Sequence, residues 1–164
     1  MKRVILSISN SLVKDAVKNA LKQVGYLVQS VPSYKTDDVV NSCDSFFANL
    51  LLMDVNRVGS DINVRLETID KVKKQNPKTK IALLCDNVSD PEIAYKIKQA
   101  KEEKIIDSFF YESVSMDYMI EILDSLKESY FMINVKLVFA LTLVMMICSI
   151  ILVGCGEKQA IAKK

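Results

Sequence analysis

Apolar and polar residues alternate along the first 130 positions in a pattern that predicts five strand–helix repeats. Val4–Ile8 is a short apolar strand, with Ser7 its one polar residue. Leu12, Val13, Ala16, Val17, Ala20, Leu21 and Val24 then recur at helical spacing, and Gly25 is a natural stop. Tyr26–Val31 predicts a second strand, broken by Pro32, and Thr36–Cys43 a second helix begun by Asp37 or Asp38. Phe47–Met53 predicts the third strand. Val64–Gln75, with Val64, Ile69 and Val72 apolar, predicts a third helix that ends before Pro77. Lys80–Leu84 is the fourth strand. Asp90-Pro91-Glu92 opens the fourth helix, with an acid to cap it and a proline at its first position, and Ile93, Ile97 and Ala100 form its stripe. Ile105–Tyr111 predicts the fifth strand, and a last helix from near Ser115 places Met119, Ile122, Leu123 and Leu126 on one face.

Strands that alternate with helices predict an α/β fold, a parallel sheet covered on both faces. Repeats, low-complexity tracts and a phosphate-cradling glycine loop are absent from the sequence. The pattern changes near residue 130. Leu137–Gly156 is twenty residues without a charge, and at 1.5 Å rise they span roughly 30 Å, the hydrocarbon thickness of a bilayer. The expected organisation is a domain over 1–130, a linker over 131–136, a transmembrane helix over 137–156 and a short polar tail over 157–164. Leu152-Val153-Gly154-Cys155 also resembles a bacterial lipobox, which makes Cys155 a candidate for lipidation, although such signals sit at an N-terminus.

Charge separates the two parts. Residues 1–130 carry 18 basic and 19 acidic side chains, and 131–164 carry 4 and 1, for a net charge of +2. A nearly neutral domain has no overall electrostatic footprint for nucleic acid. Histidine is absent, which excludes Ser-His-Asp and Cys-His catalysis, His-containing metal sites and a phosphohistidine relay within this chain. Cys43, Cys85, Cys148 and Cys155 form no C-x-x-C pair, so a four-cysteine zinc site is not expected, and Cys43 and Cys85 read as reduced thiols. Met1-Lys2-Arg3 runs into the first strand without an apolar leader, so no signal peptide is expected.

The third strand carries the candidate chemistry. Leu50-Leu51-Leu52-Met53 ends in Asp54, which places a carboxylate at the carboxyl edge of the sheet, where open α/β folds bind their ligands. The segment Ala48–Asn56 resembles the phospho-acceptor strand of bacterial response-regulator receiver domains, with Asp54 at the acceptor position. The resemblance runs over roughly residues 2–128. Gly25-Tyr26 matches the usual end of the first helix, Asp61 matches an acid of the following loop, and Ser115–Met119 resembles the start of the last receiver helix. Phe109 falls at the switch-aromatic position. The resemblance implies a flavodoxin-like (βα)5 three-layer sandwich with five parallel strands, to which the sequence adds one C-terminal transmembrane helix.

The departures fall on the chemistry. The acidic pair that holds Mg²⁺ in receivers is Ile8 and Ser9 here, the phosphate-pairing lysine is Glu112, the proline after it is Ser113, and the switch hydroxyl is Cys85. Asn56 and Asp86 complete this degenerate neighbourhood, in which Asp54, Asp86 and Glu112 offer a cation site as an alternative. The expected function is therefore a non-catalytic receiver-like signalling module, tethered to the inner face of a bacterial membrane and acting on a protein partner such as a histidine kinase or a membrane protein. No cofactor is expected unless the receiver site is active and takes Mg²⁺. Lys127 and Lys136 on one side of the apolar segment balance Lys158, Lys163 and Lys164 on the other, so a cytoplasmic domain is expected from the resemblance alone. The rival readings are a working phospho-receiver in a two-component phosphorelay, accepting phosphate at Asp54, and a flavodoxin-like domain that binds a small ligand.

Overall fold

The apolar runs pair side by side and in one direction. In a computed structural model that describes residues 2–32, 35–55, 61–86 and 88–126, five strands form one parallel sheet in the order β2-β1-β3-β4-β5. They are β1 (Lys2–Ser7), β2 (Tyr26–Ser30), β3 (Leu50–Val55), β4 (Lys80–Cys85) and β5 (Ser108–Tyr111). The helices between them are α1 (Ser11–Gln23), α2 (Thr36–Ser45), α3 (Ile62–Gln75) and α4 (Pro91–Glu102), and α5 follows over 116–126. This is the flavodoxin-like arrangement expected from the sequence.

Alternation along each strand splits the core in two. Val4, Leu6, Leu52 and Leu84 face α1 and α5, where Val17, Leu21, Met119 and Leu123 cover them. Ile5, Leu51, Met53 and Leu83 face α2, α3 and α4 through residues such as Val39, Ile69, Val72 and Ile97. The helix starts follow the sequence closely. The Asp90 side chain accepts from the Ile93 N–H at 3.3 Å with Pro91 in the first turn, and the Asn10 side chain caps α1. Gly25 closes the α1–β2 turn with φ near +85°, a conformation that costs a residue with a Cβ.

Several boundaries move. The third strand begins at Leu50 instead of Phe47, because Phe47 takes φ +50° and turns the chain at the end of α2. Asp54 thereby lies inside β3, in register with Leu84, and not after it. The fifth strand is shorter than Ile105–Tyr111. The α4–β5 turn extends through Lys104 (φ +61°), and Asp107 is held by lysines before pairing starts at Ser108. Val64 is 40% exposed, so the buried stripe of α3 is Ile62, Arg65, Thr68, Ile69 and Val72, a phase different from the one expected. Among the described residues no helix is long and apolar enough to cross a membrane. The predicted transmembrane helix 137–156, linker 131–136, tail 157–164 and Cys155 lie outside the described residues.

Asp107 ties the start of β4 to the start of β5. It accepts from Lys80 Nζ at 2.7 Å, from Lys73 Nζ at 3.1 Å and from the Ile81 N–H at 2.9 Å. Burial pushes its carboxyl up, but these three donors outweigh burial and hold it below the ordinary value. A depressed carboxylate contributes stability above its unfolded value of about 3.9 and loses it as pH falls through the folded value. Acid unfolding of wild type should therefore contain a step below about pH 4 that Asp107→Asn lacks, with a loss of about 1–3 kcal/mol at neutral pH for the variant. Urea midpoints at pH 7 and pH 3 check both.

Candidate functional site

The carboxyl edge of the sheet places Asp54 between the end of β1 and the first turns of α3. Its side chain is 4% exposed, and each of its oxygens has a donor from the protein. Oδ1 accepts from Arg65 Nη2 at 2.8 Å. Oδ2 accepts from the Ser9 N–H at 2.7 Å and from the Ser9 hydroxyl.

Arg65 is the residue that sequence reasoning missed. It stands one turn into α3 with its side chain 1% exposed, and every guanidinium N–H has an acceptor. Nε donates to the Asp54 carbonyl at 2.8 Å and Nη1 to Ser7 Oγ at 3.1 Å, with Met53 Sδ at 3.8 Å. Nη2 donates to the Ser7 carbonyl at 3.0 Å as well as to the carboxylate. Burial lowers the guanidinium from its ordinary value, and Asp54 acts in the opposite direction. One side chain thus ties β1 and β3 to α3. The signal was in the spacing: Arg65 lies three residues after Ile62 and four before Ile69, within the stripe that Ile62, Ile69 and Val72 define.

The other expected site residues divide. Ile8 is 3% exposed and belongs to the apolar core under α1, so it offers the site no oxygen. Ser9 donates to Asp54 where receivers place an acid. Cys85 is buried at the end of β4, and burial, then Asp86 and Glu112, push its thiol up to about 11, so it stays protonated near neutral pH. Asp86 folds back on its own loop, accepting from the Val88 and Ser89 N–H groups at 2.8 and 3.1 Å. Glu112 is an exposed residue of the turn after β5, and burial together with the charges of Asp86 and Asp54 pushes its carboxyl up. Among the described residues, however, no three acidic or cysteine side chains converge as a metal cluster. Phe109 is half-buried on β5 and meets Tyr111 edge-on at 5.6 Å, the packing of a strand aromatic. Asp61 caps α3 through the Asn63 N–H at 2.8 Å. Asn56 lies outside the described residues.

These residues do not fit Mg²⁺. The ion needs an octahedral set of oxygens at about 2.0–2.1 Å. Here one position is an aliphatic side chain, a second is a hydroxyl already donating, and a guanidinium holds the acceptor carboxylate. A divalent cation about 5 Å from that guanidinium is opposed by roughly 7 kcal/mol at an effective dielectric near 20.

No family model matches the chain, and no curated protein matches it in sequence. Solved structures do resemble it. The response regulator TrrA from Thermotoga maritima, in complex with Mg²⁺ and beryllofluoride, is 19% identical with a TM-score of 0.60, covering 77% of this chain and 99% of that one. Chemotaxis protein CheY4 of Vibrio cholerae is 16% identical with a TM-score of 0.61, over 77% and 98%. A CheY-like protein, tadZ, from Pseudomonas aeruginosa is 11% identical with a TM-score of 0.60, over 77% and 99%. The structural neighbours are thus CheY-like response-regulator receiver domains, and the fold of this chain is the receiver fold.

Removing one member of a buried ion pair leaves the other charge uncompensated, at a cost of about 3–5 kcal/mol. Arg65→Met should destabilise the fold by that amount in urea titrations, and Asp54→Asn should do likewise. The two losses should not add: a double-mutant cycle should return a coupling of at least about 1 kcal/mol.

Proposed function

We propose that this chain is a non-catalytic receiver-fold module that signals by protein–protein interaction and is tethered to a bacterial membrane through Leu137–Gly156. The observation that carries the first half is the closed state of Asp54. Its carboxylate is nearly inaccessible, with Oδ1 held by Arg65 and Oδ2 by Ser9, so a phosphoryl donor would have to displace these contacts to reach it. The cation that would neutralise such a group is a fixed guanidinium, already spent on the carboxylate. Glu112 adds a negative charge where receivers pair the phosphate.

A module that does not switch by phosphorylation acts through its surface. Of the elements α4, β5 and α5, the two helices carry Tyr95 and Tyr118, which are 70% and 52% exposed. Aromatic side chains of this kind suit a protein partner, such as a sensor kinase or a membrane protein. The tether rests on sequence: twenty uncharged residues in which Leu, Ile, Val and Phe each favour insertion by about 0.3–0.6 kcal/mol at mid-bilayer. It would hold the domain at high local concentration near membrane partners.

Incubation with acetyl phosphate and Mg²⁺ should leave the intact mass of the protein unchanged, and beryllofluoride with Mg²⁺ should leave the amide resonances around Asp54 in place. A stoichiometric phosphoryl adduct on Asp54 would establish the working phospho-receiver instead. The full chain should remain in the membrane pellet after carbonate extraction, and its release would remove the tether from this reading.

A further inference from the structure

We infer that the amino-terminal edge of the sheet is a docking surface for anionic lipid headgroups, so that the domain lies against the bilayer by that edge. The inference rests in part on the membrane tether proposed above. Its structural basis is an uneven placement of charge within a nearly neutral domain. Helix starts and the turns after the strands carry the acids, among them Asp37, Asp38, Asp61, Asp90, Glu92 and Asp117. The opposite edge, where the strands begin and the helices end, carries Arg3, Lys22, Lys74, Lys78, Lys101 and Lys104. Lysines in the last turns of α1, α3 and α4 also complement helix dipoles. Arg3, Lys78 and Lys104 do not: they lie on a strand start and in two turns.

The acids on the basic edge are partly spent. Asp107 is held by Lys73 and Lys80, and Asp124 by Lys2 and the Tyr26 hydroxyl. Asp44, Glu102 and Glu103 remain on the rim. Lys22, Lys78 and Lys104 are exposed, and no ion pair is formed by them among the described residues.

Two further observations fall on the same edge. The two non-glycine residues with positive φ among those described, Phe47 and Lys104, are both there. Each closes the end of a helix, α2 or α4, where the Ala48 and Ile105 N–H groups reach back to the Cys43 and Ala100 carbonyls at 2.9 Å, so the conformation belongs to the helix end. Phe47 is 71% exposed in its turn, with the Arg3 guanidinium 5.8 Å from its ring centroid. An exposed aromatic beside cations is the pairing that sits well in a headgroup layer, with the ring toward the acyl boundary and the charges on phosphates. The second is the path of the chain. Asp124 bonds to residues at the starts of β1 and β2, so α5 ends at the basic edge with Leu126. Ten residues, 127–136, then precede the apolar segment. Anionic lipid is the occupant that this charge and this exit point favour together.

The full chain lacks tryptophan, so Phe47→Trp provides a single reporter at the edge. The variant chain is compared in phosphatidylcholine vesicles and in vesicles containing phosphatidylglycerol as well. With the anionic lipid, emission should shift to the blue and be quenched by nitroxide-labelled lipid, and high salt should reverse both. Adding Lys22→Glu, Lys78→Glu and Lys104→Glu should weaken the docked state by about fivefold or more per lysine. Circular dichroism of this variant establishes that it is folded before it is read. Identical emission in neutral and anionic vesicles, with the chain floating on both, would overturn the inference and leave the tether standing. Flotation with anionic vesicles alone, together with the shift, would remove the tether and support the edge. Flotation with neither would remove both. A shift produced by short RNA and not by anionic vesicles would assign the edge to nucleic acid and overturn the inference.

Discussion

The ion pair between Arg65 and Asp54 is the interaction on which the carboxyl edge of this sheet depends. Taking two charges out of water costs several kcal/mol for each, and their mutual attraction repays that only when the remaining donors and acceptors are also met. Here they are met. Nε and both terminal nitrogens of Arg65 donate to Asp54, Ser7 and Met53, while Ser9 completes the carboxylate. Two carbonyls at the ends of β1 and β3 receive their donors from a side chain of α3, so the guanidinium serves the backbone as much as the charge. The constraint runs in both directions. The pair can stay buried because the strands end where they do, and the strand ends stay satisfied because the pair is there.

A site closed by an internal cation has different chemistry from one that recruits its cation. A recruited ion binds when its ligands are free and the phosphate arrives, which gives the carboxyl edge two states. Here the guanidinium holds a full set of acceptors, and any ligand that displaced it would leave a buried charge without compensation. Our proposed function follows from that contrast: information carried by this domain would reside in what its surface contacts and in where the surface is held.

Much of the architecture was legible because it follows from short-range rules. Continuous apolar runs mark strands covered on both faces, and Gly25 and the Asp90-Pro91 pair end or begin helices by local chemistry. Boundaries were less legible where a residue took a conformation its type disfavours. Phe47 and Lys104 have positive φ, and a sequence reading has no reason to place a turn on a phenylalanine. The position of Asp54 was readable from the strand before it, but its state was not. That depends on Arg65, eleven residues away, and a basic residue in a helix is by default assigned to solvent. Only the phase of Ile62, Ile69 and Val72 showed otherwise. Taking Val64 into the stripe in place of Ile62 rotated the helix enough to hide the arginine.

Helix ends also make the two edges of the sheet differ. At the carboxyl edge, helix starts bring unpaired N–H groups, which side chains such as Asp61 and Asp90 cap, so acids there are largely a local requirement of helix ends. At the opposite edge the last helical turns favour lysine for the matching reason, and a charge polarity across the domain follows without any partner. What helix ends do not require is a lysine in the α3–β4 turn, an arginine at the start of β1, or an exposed phenylalanine side chain beside it. These residues add apolar surface, and positive charge without an ion pair among the described residues, at the edge where α5 ends. Helix capping supplies the sign of the field, and these additions give that edge something to hold.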